Sequence, residues 1–278
     1  MSLKKTFQAH ARWSQLTFAL VVIGFVLQVI EMIRMPSPLE PSVFMVIASI
    51  LTLYFCVRVQ RAFMPLFLMS TFTLLVTWRL SVLMGYSECG YFFLAAFVLK
   101  ILTYLHCAIQ DVRAGGDAPN DPAHHATRFE WQLLFIRLYL GFDLVPHFTE
   151  KLLAGAAVRA GDISAFISLN VPHPVFMVWL AGLCELGGAI ALGCGFITRL
   201  GSIGLFVYLM IATIMGHHLS NGFIWANAGG GWEYPVLWSV LVLTFACFGA
   251  GNFSIDRYLK DRFQLPMWLK HLMGGRHY

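Results

Sequence analysis

Long apolar stretches separated by short polar segments recur along the whole chain. Each stretch holds roughly 17 to 24 residues and, as an α-helix, is long enough to cross a hydrocarbon core about 30 Å thick. Apolar and polar residues do not alternate within them, which favours membrane helices over barrel strands. The predicted spans are Trp13–Ile33, Pro41–Val57, Ala62–Trp78, Gly90–Ala108, Trp131–Glu150, Pro174–Phe196, Gly201–His218 and Tyr234–Ala250. The sequence therefore predicts an all-α, polytopic membrane bundle of about eight helices in two four-helix halves.

The basic residues indicate how these spans are oriented. If the N-terminus lies inside the cell, fourteen of the nineteen Lys and Arg residues fall on the cytoplasmic side and four on the outer side. Membrane proteins carry an excess of Lys and Arg in their cytoplasmic segments. We therefore expect an integral protein of a bacterial inner membrane, with both termini in the cytoplasm.

Composition agrees with a membrane protein. Hydrophobic residues make up 58% of the chain and charged residues 12%, against roughly 25% charged residues in a soluble domain. The net charge of +5 comes from basic residues that stand singly at span ends, with no basic run. The charge thus reflects membrane topology, and lipid, not nucleic acid, is the expected surrounding partner.

A polar segment separates the two halves. Residues 110–130 are rich in Gly, Pro and Asp and predict a cytoplasmic linker. It would join an N-terminal membrane half at 1–109 to a second half at 131–254, with a cytoplasmic tail at 255–278. Short likenesses, such as PSVFMV in the first half and HPVFMV in the second, leave open whether the first half is a diverged copy of the second.

One face of the fifth predicted span carries several ionisable side chains. Asp143, His147 and Glu150 follow the i, i+4, i+7 spacing of a single helix face, and Lys151 lies beside them. Ionisable residues inside a membrane span are functional candidates. Pro146 in the same turn removes a backbone hydrogen bond and predicts a kink there.

The sixth predicted span places Glu185 near the middle of the membrane. A carboxylate at that depth must be protonated, paired or hydrated. The small residues around it, which allow a second helix to approach closely, are Gly182, Gly187, Gly188 and Ala189. A partner such as Arg137 or His147 could then reach the carboxylate. A purely structural bond between helices is the alternative role for Glu185.

A third group of candidate residues lies at the outer ends of the last two spans. His217 and His218 end the seventh span, and Trp232 and Glu233 precede the eighth after a Gly-rich loop. With His147 they would lie in the outer half of the membrane, where an imidazole and a buried carboxylate can form a proton-accepting pair. Alternatively, these histidines are interfacial residues, and Glu233 forms a plain ion pair.

Metal and haem sites are not favoured by the sequence. No His or Cys spacing has the specificity of a known metal motif, and the six cysteines include no CxxC pair. We therefore expect no metal site and no haem. Redox chemistry would need a mobile cofactor or a partner protein.

Several motifs of the second half resemble a known family. They are RLYLGFDLVPHFTEKL from Arg137, PVFMVWLAGLCELGGAIALGCGFITRLGSIGLF from Pro174, MGHH from Met215 and WEYPVLWSVLVLTFACFGAGNFSIDRYL from Trp232. Over about residues 132–260 they resemble the DoxX/DoxD family of four-helix membrane proteins. By this resemblance, the family pattern maps onto Arg137, Gly141, His147, Lys151, Glu185, Gly188, Gly193, Thr198, Arg199, His217, Glu233 and Asp256. The resemblance implies a membrane subunit of a quinone-linked oxidoreductase, such as thiosulfate:quinone oxidoreductase, or a membrane partner of soluble redox proteins.

We therefore expect a membrane subunit of a respiratory or redox complex that interacts with a quinone or quinol near the outer leaflet. In this hypothesis Glu185 and His147 accept and pass protons, and Asp143 orients the imidazole. The residues expected to bind the cofactor are Arg137, Lys151, His217, His218, Trp232 and Glu233. Electrons would pass between the quinone and a protein partner in the complex. Two alternatives are a non-catalytic structural or anchoring subunit of a larger assembly and a small-molecule transporter with Glu185 as its coupling site.

Overall fold

The computed structural model describes residues 11–59, 63–114 and 122–273, and every regular element within these ranges is a helix. The first four helices are α1 (Ala11–Arg34), α2 (Leu39–Arg58), α3 (Phe63–Leu83) and α4 (Ser87–Ala114). They are followed by α5 (Pro122–Phe142), α6 (Leu144–Leu152), α7 (Ala156–Ser168), α8 (Pro174–Gly188), a π-helix (Ala189–Cys194), α9 (Thr198–Met215), α10 (Glu233–Phe248), α11 (Ile255–Arg262) and α12 (Met267–Leu272). The all-α fold expected from the apolar runs is confirmed.

Six helical segments in the described part of the chain are long and apolar enough to cross a membrane. They are Trp13–Arg34, Leu39–Arg58, Met64–Leu83, Ser87–Arg113, Pro174–Cys194 and Thr198–Met215. The last predicted span corresponds to α10, which is apolar but has 16 residues, or about 24 Å of helix. The chain is therefore a polytopic membrane protein whose helices contact lipid.

The fifth predicted span is two helices instead of one. Helix α5 ends at Phe142 and α6 begins at Leu144, so the helix breaks at Asp143. Pro146 explains the break, because its ring clashes with the carbonyl group four residues earlier, that of Phe142. The first turn of α6 tolerates Pro146, since backbone N–H groups there have no partner within the helix. Asp143 itself keeps α-helical dihedral angles (φ −64°, ψ −18°), and its N–H donates to Tyr139 O at 3.0 Å, so the break is a local interruption where the sequence predicted a kink. The sequence did not predict the separate helix α7.

The chain divides into two compact units, Met1–Ile136 and Arg137–Tyr278. In the first unit, buried polar side chains join neighbouring helices. Ser49 Oγ donates to Gln28 Oε1 at 2.6 Å. Lys100, which is 2% exposed, donates to Ser70 Oγ at 2.6 Å. These bonds satisfy polar groups that would otherwise be costly to bury.

In the second unit, α8 continues into the π-helix, whose last carbonyl groups are bound by Arg137. This side chain is fully buried, and its guanidinium donates to Leu192 O at 2.7 Å and to Phe253 O at 2.6 Å. Five N–H groups in a rigid fork suit Arg to joining several carbonyl groups. We therefore assign Arg137 a structural role, although the sequence suggested it as a cofactor ligand.

Residues at both ends of the predicted linker, 110–130, are helical. Helix α4 continues to Ala114 and α5 begins at Pro122. Residues 115–121, the centre of the predicted linker, lie outside the described ranges. The predicted tail includes the short helices α11 and α12.

Candidate functional site

Glycines on α8 let α6 approach closely enough for their polar side chains to meet. A Cβ atom at Gly182 would come within 2.8 Å of Leu152, and one at Gly188 would come within 3.0 Å of Leu144. Both positions therefore need a residue without a side chain, as the sequence predicted. A Cβ at Gly187 would meet nothing within 4 Å. The close contact is thus specific to the face of α8 that carries Glu185.

An ion pair and a tyrosine meet at this contact. Lys151 Nζ lies 3.1 Å from Glu185 Oε1, and the Tyr208 hydroxyl donates to the same oxygen at 2.6 Å. Lys151 is 7% exposed and Glu185 is 4% exposed. We call these three residues the Glu185 cluster. The carboxylate of Glu185 is paired, as its depth required, but its partners are Lys151 and Tyr208, and not Arg137 or His147.

Two hydrogen-bonding positions in the cluster remain available. Lys151 carries three N–H groups; one points to Glu185, and another donates to His147 O at 3.2 Å. In addition, Glu185 Oε2 is buried and has no hydrogen-bond partner among the residues that the structure describes. The cluster can therefore donate one hydrogen bond from Lys151 and accept one, or a proton, at Glu185.

A mostly apolar cavity of about 380 Å³ lies against one side of the cluster. Its polar lining is limited to Lys151, Tyr208, His218 and the thiol of Cys184. The remaining walls are formed by Phe166, Leu169, Val171, Met177, Leu180, Ala181, Gly204, Val207, Ile211, Ala212, Met215 and Gly216. This volume and composition suit a largely hydrophobic small molecule that is fixed by few polar groups.

A second, more polar cavity of about 300 Å³ lies against the cluster and shares Tyr208, Ala212 and His218 with the first. Its polar and aromatic walls are formed by Asp143, His147, Glu185, Tyr208, His218, Trp225, Tyr234 and Trp238. Three residues expected from the sequence, Glu185, His147 and Asp143, are thus brought together here. Lys151 lines only the first of the two cavities.

Asp143 does not orient His147 in this arrangement. Its carboxylate instead accepts a hydrogen bond from the Tyr234 hydroxyl at 3.3 Å, while the His147 ring lies 6.4 Å from the Trp238 ring, measured between centroids. His218 is oriented through the backbone, because its Nδ1 donates to Gly230 O at 2.9 Å.

Three other expected residues, His217, Trp232 and Glu233, line neither cavity. Glu233 accepts a hydrogen bond from the backbone N–H of Trp225 at 3.1 Å and so folds the loop before α10. The Trp232 ring packs edge-on against Phe223. His217 is exposed and has a positive φ of 58°. The side chains of Glu233 and Trp232 thus shape the loop that holds Trp225 beside the polar cavity.

The alternative role for Glu233, a plain ion pair, is not found among the residues that the structure describes, and the two candidate cations, Lys151 and Arg159, have other contacts. Lys151 pairs with Glu185, whereas Arg159 Nε donates to Lys151 O at 2.7 Å. The Arg159 guanidinium also lies 4.1 Å from the Trp179 ring centre. Arg159 therefore holds the end of α6, the helix that carries Lys151.

Sequence reasoning missed Tyr208, Tyr234 and the cavity-facing tryptophans. Tyr208 lies in an apolar run, where a buried hydroxyl requires a partner, and that requirement was the available signal. Trp225 and Trp238 lie near span ends, where tryptophan commonly anchors a helix at the membrane interface, so position alone does not indicate a cavity. Across residues 11–59, 63–114 and 122–273, no group of three or more His, Cys, Asp or Glu side chains is arranged to hold a metal ion.

Comparison with known proteins places the second half in a family. The DoxX family model matches residues 132–218. An uncharacterized protein of Haemophilus influenzae is 30% identical over 124 residues, which are 45% of this chain and 87% of that protein. No solved structure matches the chain. The matched segment contains the polar residues of the Glu185 cluster on α6, α8 and α9. By its second half, the chain belongs to the DoxX family.

Proposed function

We propose that this protein is a membrane subunit of a redox complex that binds a quinone or quinol at the Glu185 cluster. The observation that carries the proposal is a buried, polar cluster at the wall of a cavity that is otherwise apolar. A quinone likewise combines a few polar atoms with apolar surface: two oxygen atoms on a flat ring and an apolar tail. The family resemblance supports the same ligand class. A bacterial inner membrane would contain both the redox complex and its quinone.

The residues of the apolar cavity fit such a head group. Lys151 has one N–H group left after binding Glu185 and His147 O, and it lines this cavity. An ammonium group surrounded by apolar side chains binds an acceptor oxygen strongly, because water does not compete there. Lys151 would therefore fix a quinone oxygen, and the apolar walls would hold the ring and the start of the tail.

Glu185 supplies the proton-handling group in this scheme. Its Oε1 is held by Lys151 and Tyr208, which leaves Oε2 to take up a proton. Oxidation of a quinol delivers two electrons and two protons, and the electrons would pass to a partner protein. Glu185 would accept the protons one after the other and release each into the polar cavity, whose lining includes His147 and Asp143. Tyr208 would position the carboxylate throughout.

Binding of a short-chain quinone tests this proposal. Purified protein in detergent would be titrated with decyl-ubiquinone, and binding would be followed by quenching of tryptophan fluorescence. The informative variant is Lys151→Met with Glu185→Gln, which removes both charges and so avoids leaving one of them buried alone. The matched control is Arg257→Met with Asp261→Asn, which removes an exposed ion pair with a 2.9 Å contact on α11.

We expect saturable binding by the unmodified protein and by the control, and at least about tenfold weaker binding by the cluster variant, since a charge-assisted hydrogen bond contributes about 1.5–3 kcal/mol. A folded protein that binds no quinone would refute the proposal. That result would favour the structural subunit. Proton-driven uptake of a solute into vesicles, abolished by the cluster variant, would favour the transporter.

A further inference from the structure

A continuous row of aromatic rings lines the polar cavity. In order, the rings belong to His218, Trp225, Tyr234, Trp238 and His147. Successive ring centres are separated by 5.4, 5.6, 5.8 and 6.4 Å. Neighbouring rings at these distances are in contact and form an aromatic wall of the cavity. Among them, Trp225, Tyr234 and Trp238 are the ring types whose faces attract a cation.

The charged groups of the polar cavity also favour a cation. Its lining contains two carboxylates, Asp143 and Glu185, but neither Lys nor Arg. Lys151, from outside this lining, balances Glu185 through Oε1. The Asp143 carboxylate accepts a hydrogen bond from the neutral Tyr234 hydroxyl at 3.3 Å. Within the part of the chain that the structure describes, no cation pairs with this carboxylate. The cavity is therefore acidic as well as aromatic.

Glu185 adds an independent indication of a ligand. Its side chain is more than nine-tenths buried and borders the polar cavity, and Oε2 has no hydrogen-bond partner among the described residues. A buried carboxylate oxygen without a partner is costly. A ligand with an N–H or O–H group would supply the missing hydrogen bond.

We propose that the polar cavity is a binding site for a small organic ammonium ion, such as an alkylated amine. The ammonium group would lie between the Asp143 carboxylate and the faces of Trp225, Tyr234 and Trp238. A hydroxyl or amine group on the ligand would donate to Glu185 Oε2. Aromatic faces beside one or two carboxylates recognise an alkylammonium ion, whereas Ca²⁺ or Mg²⁺ requires six or more oxygen ligands. A volume of about 300 Å³ is at the lower end for small-molecule sites.

This inference does not rest on the proposed quinone site. The quinone would occupy the apolar cavity and contact Lys151, whereas the ammonium ion would occupy the polar cavity and contact Asp143. Glu185 Oε2 is the one atom that both proposals use. Either ligand can therefore bind if the other does not. Variants at Asp143 and Trp225 leave every lining residue of the apolar cavity intact.

Choline and its uncharged analogue 3,3-dimethyl-1-butanol provide the decisive pair of probes, because they share shape and hydroxyl group and differ in charge. Binding would be measured by titration calorimetry in a maltoside detergent, since phosphocholine detergents carry the same cation. We expect choline to bind at least about tenfold more tightly than the alcohol, from the Asp143 charge and the cation–π contacts. Equal binding of the two, or no binding of choline, would overturn the inference.

Two variants and a control locate the site. Asp143→Asn keeps an acceptor for the Tyr234 hydroxyl and removes the charge, and Trp225→Leu removes a ring from the row. Each should weaken choline binding about tenfold or more. Trp268→Leu, at a tryptophan that is 65% exposed on α12, should leave choline binding unchanged. If Asp143→Asn binds choline as well as the unmodified protein does, the charge recognition proposed here is wrong.

Phosphocholine distinguishes a lipid head group from a free amine. If the natural ligand is a free amine, phosphocholine should bind more weakly than choline, because the two carboxylates of the cavity repel the phosphate of phosphocholine. Equal or tighter binding of phosphocholine, with the same loss in Asp143→Asn, would still support the ammonium site and assign it to lipid head groups.

Discussion

Removal of either partner of the Lys151–Glu185 ion pair should destabilise the second unit more than removal of both partners together. The perturbation is Lys151→Met, which keeps a long apolar side chain and removes the ammonium group. It leaves Glu185, 4% exposed, as a buried carboxylate with no cation beside it. The companion variants are Glu185→Gln and the double variant that carries both changes.

The magnitude follows from the geometry of the pair. At 3.1 Å and an effective dielectric constant of about 20, the attraction between two unit charges is about 5 kcal/mol. Desolvation of both groups offsets much of it, so the intact pair contributes little net stability. Removal of one partner, in contrast, costs about 3–5 kcal/mol, because the other charge stays buried. Removal of both charges should therefore lower the free energy of unfolding by less than the sum of the two single losses.

The assay is a double-mutant cycle on unfolding in detergent, followed by circular dichroism. We expect both single variants to be clearly destabilised and the double variant to recover a large part of the loss, with a coupling energy of about 2 kcal/mol or more. Additive losses of stability would mean that the two charges do not interact in the folded protein, contrary to the ion pair described here.

Three further predictions concern neighbouring contacts. Gly182→Ala should lower stability by about 1–3 kcal/mol, because the new Cβ would lie 2.8 Å from Leu152; Gly187→Ala, where nothing lies within 4 Å, should be neutral or slightly stabilising in the same unfolding assay. Tyr208→Phe should cost about 1–2 kcal/mol through loss of the 2.6 Å hydrogen bond, and an unchanged melting temperature would contradict this role. Asp256→Ala should cost about 2 kcal/mol or more, because its carboxylate accepts the backbone N–H groups at the start of α9 at 2.7 and 2.9 Å; Asp256→Asn should retain part of that stability.

The membrane fold was predictable because it follows from local composition. A run of about twenty apolar residues has few alternatives to a membrane helix, and the six long spans were found on that basis. The break at Asp143 was harder to predict. Pro146 signals a disturbance, but many membrane helices absorb a proline as a kink when neighbouring groups satisfy the freed carbonyl. Local sequence does not show which of these outcomes tertiary packing selects.

The candidate site was predictable in its residues but not in its pairings. Glu185 stood out because a carboxylate in the middle of an apolar run requires a partner, and Lys151 stood out beside other ionisable groups. Their pairing depends on the direction of α6 after the helix break and on the fit of Leu152 against Gly182, both of which are properties of packing. Tyr208 was missed because one hydroxyl changes the hydropathy of a span very little.

The position of a bound quinone can be determined directly by photolabelling. A photoreactive azido-quinone would be bound to the purified protein, activated by light and located by mass spectrometry of the resulting peptides. We expect labels on residues that line the apolar cavity, such as Met177, Tyr208 or Met215, and these labels should disappear when excess unlabelled quinone competes. Competed labels confined to other parts of the protein, or no competed label on folded protein, would contradict the proposed quinone site.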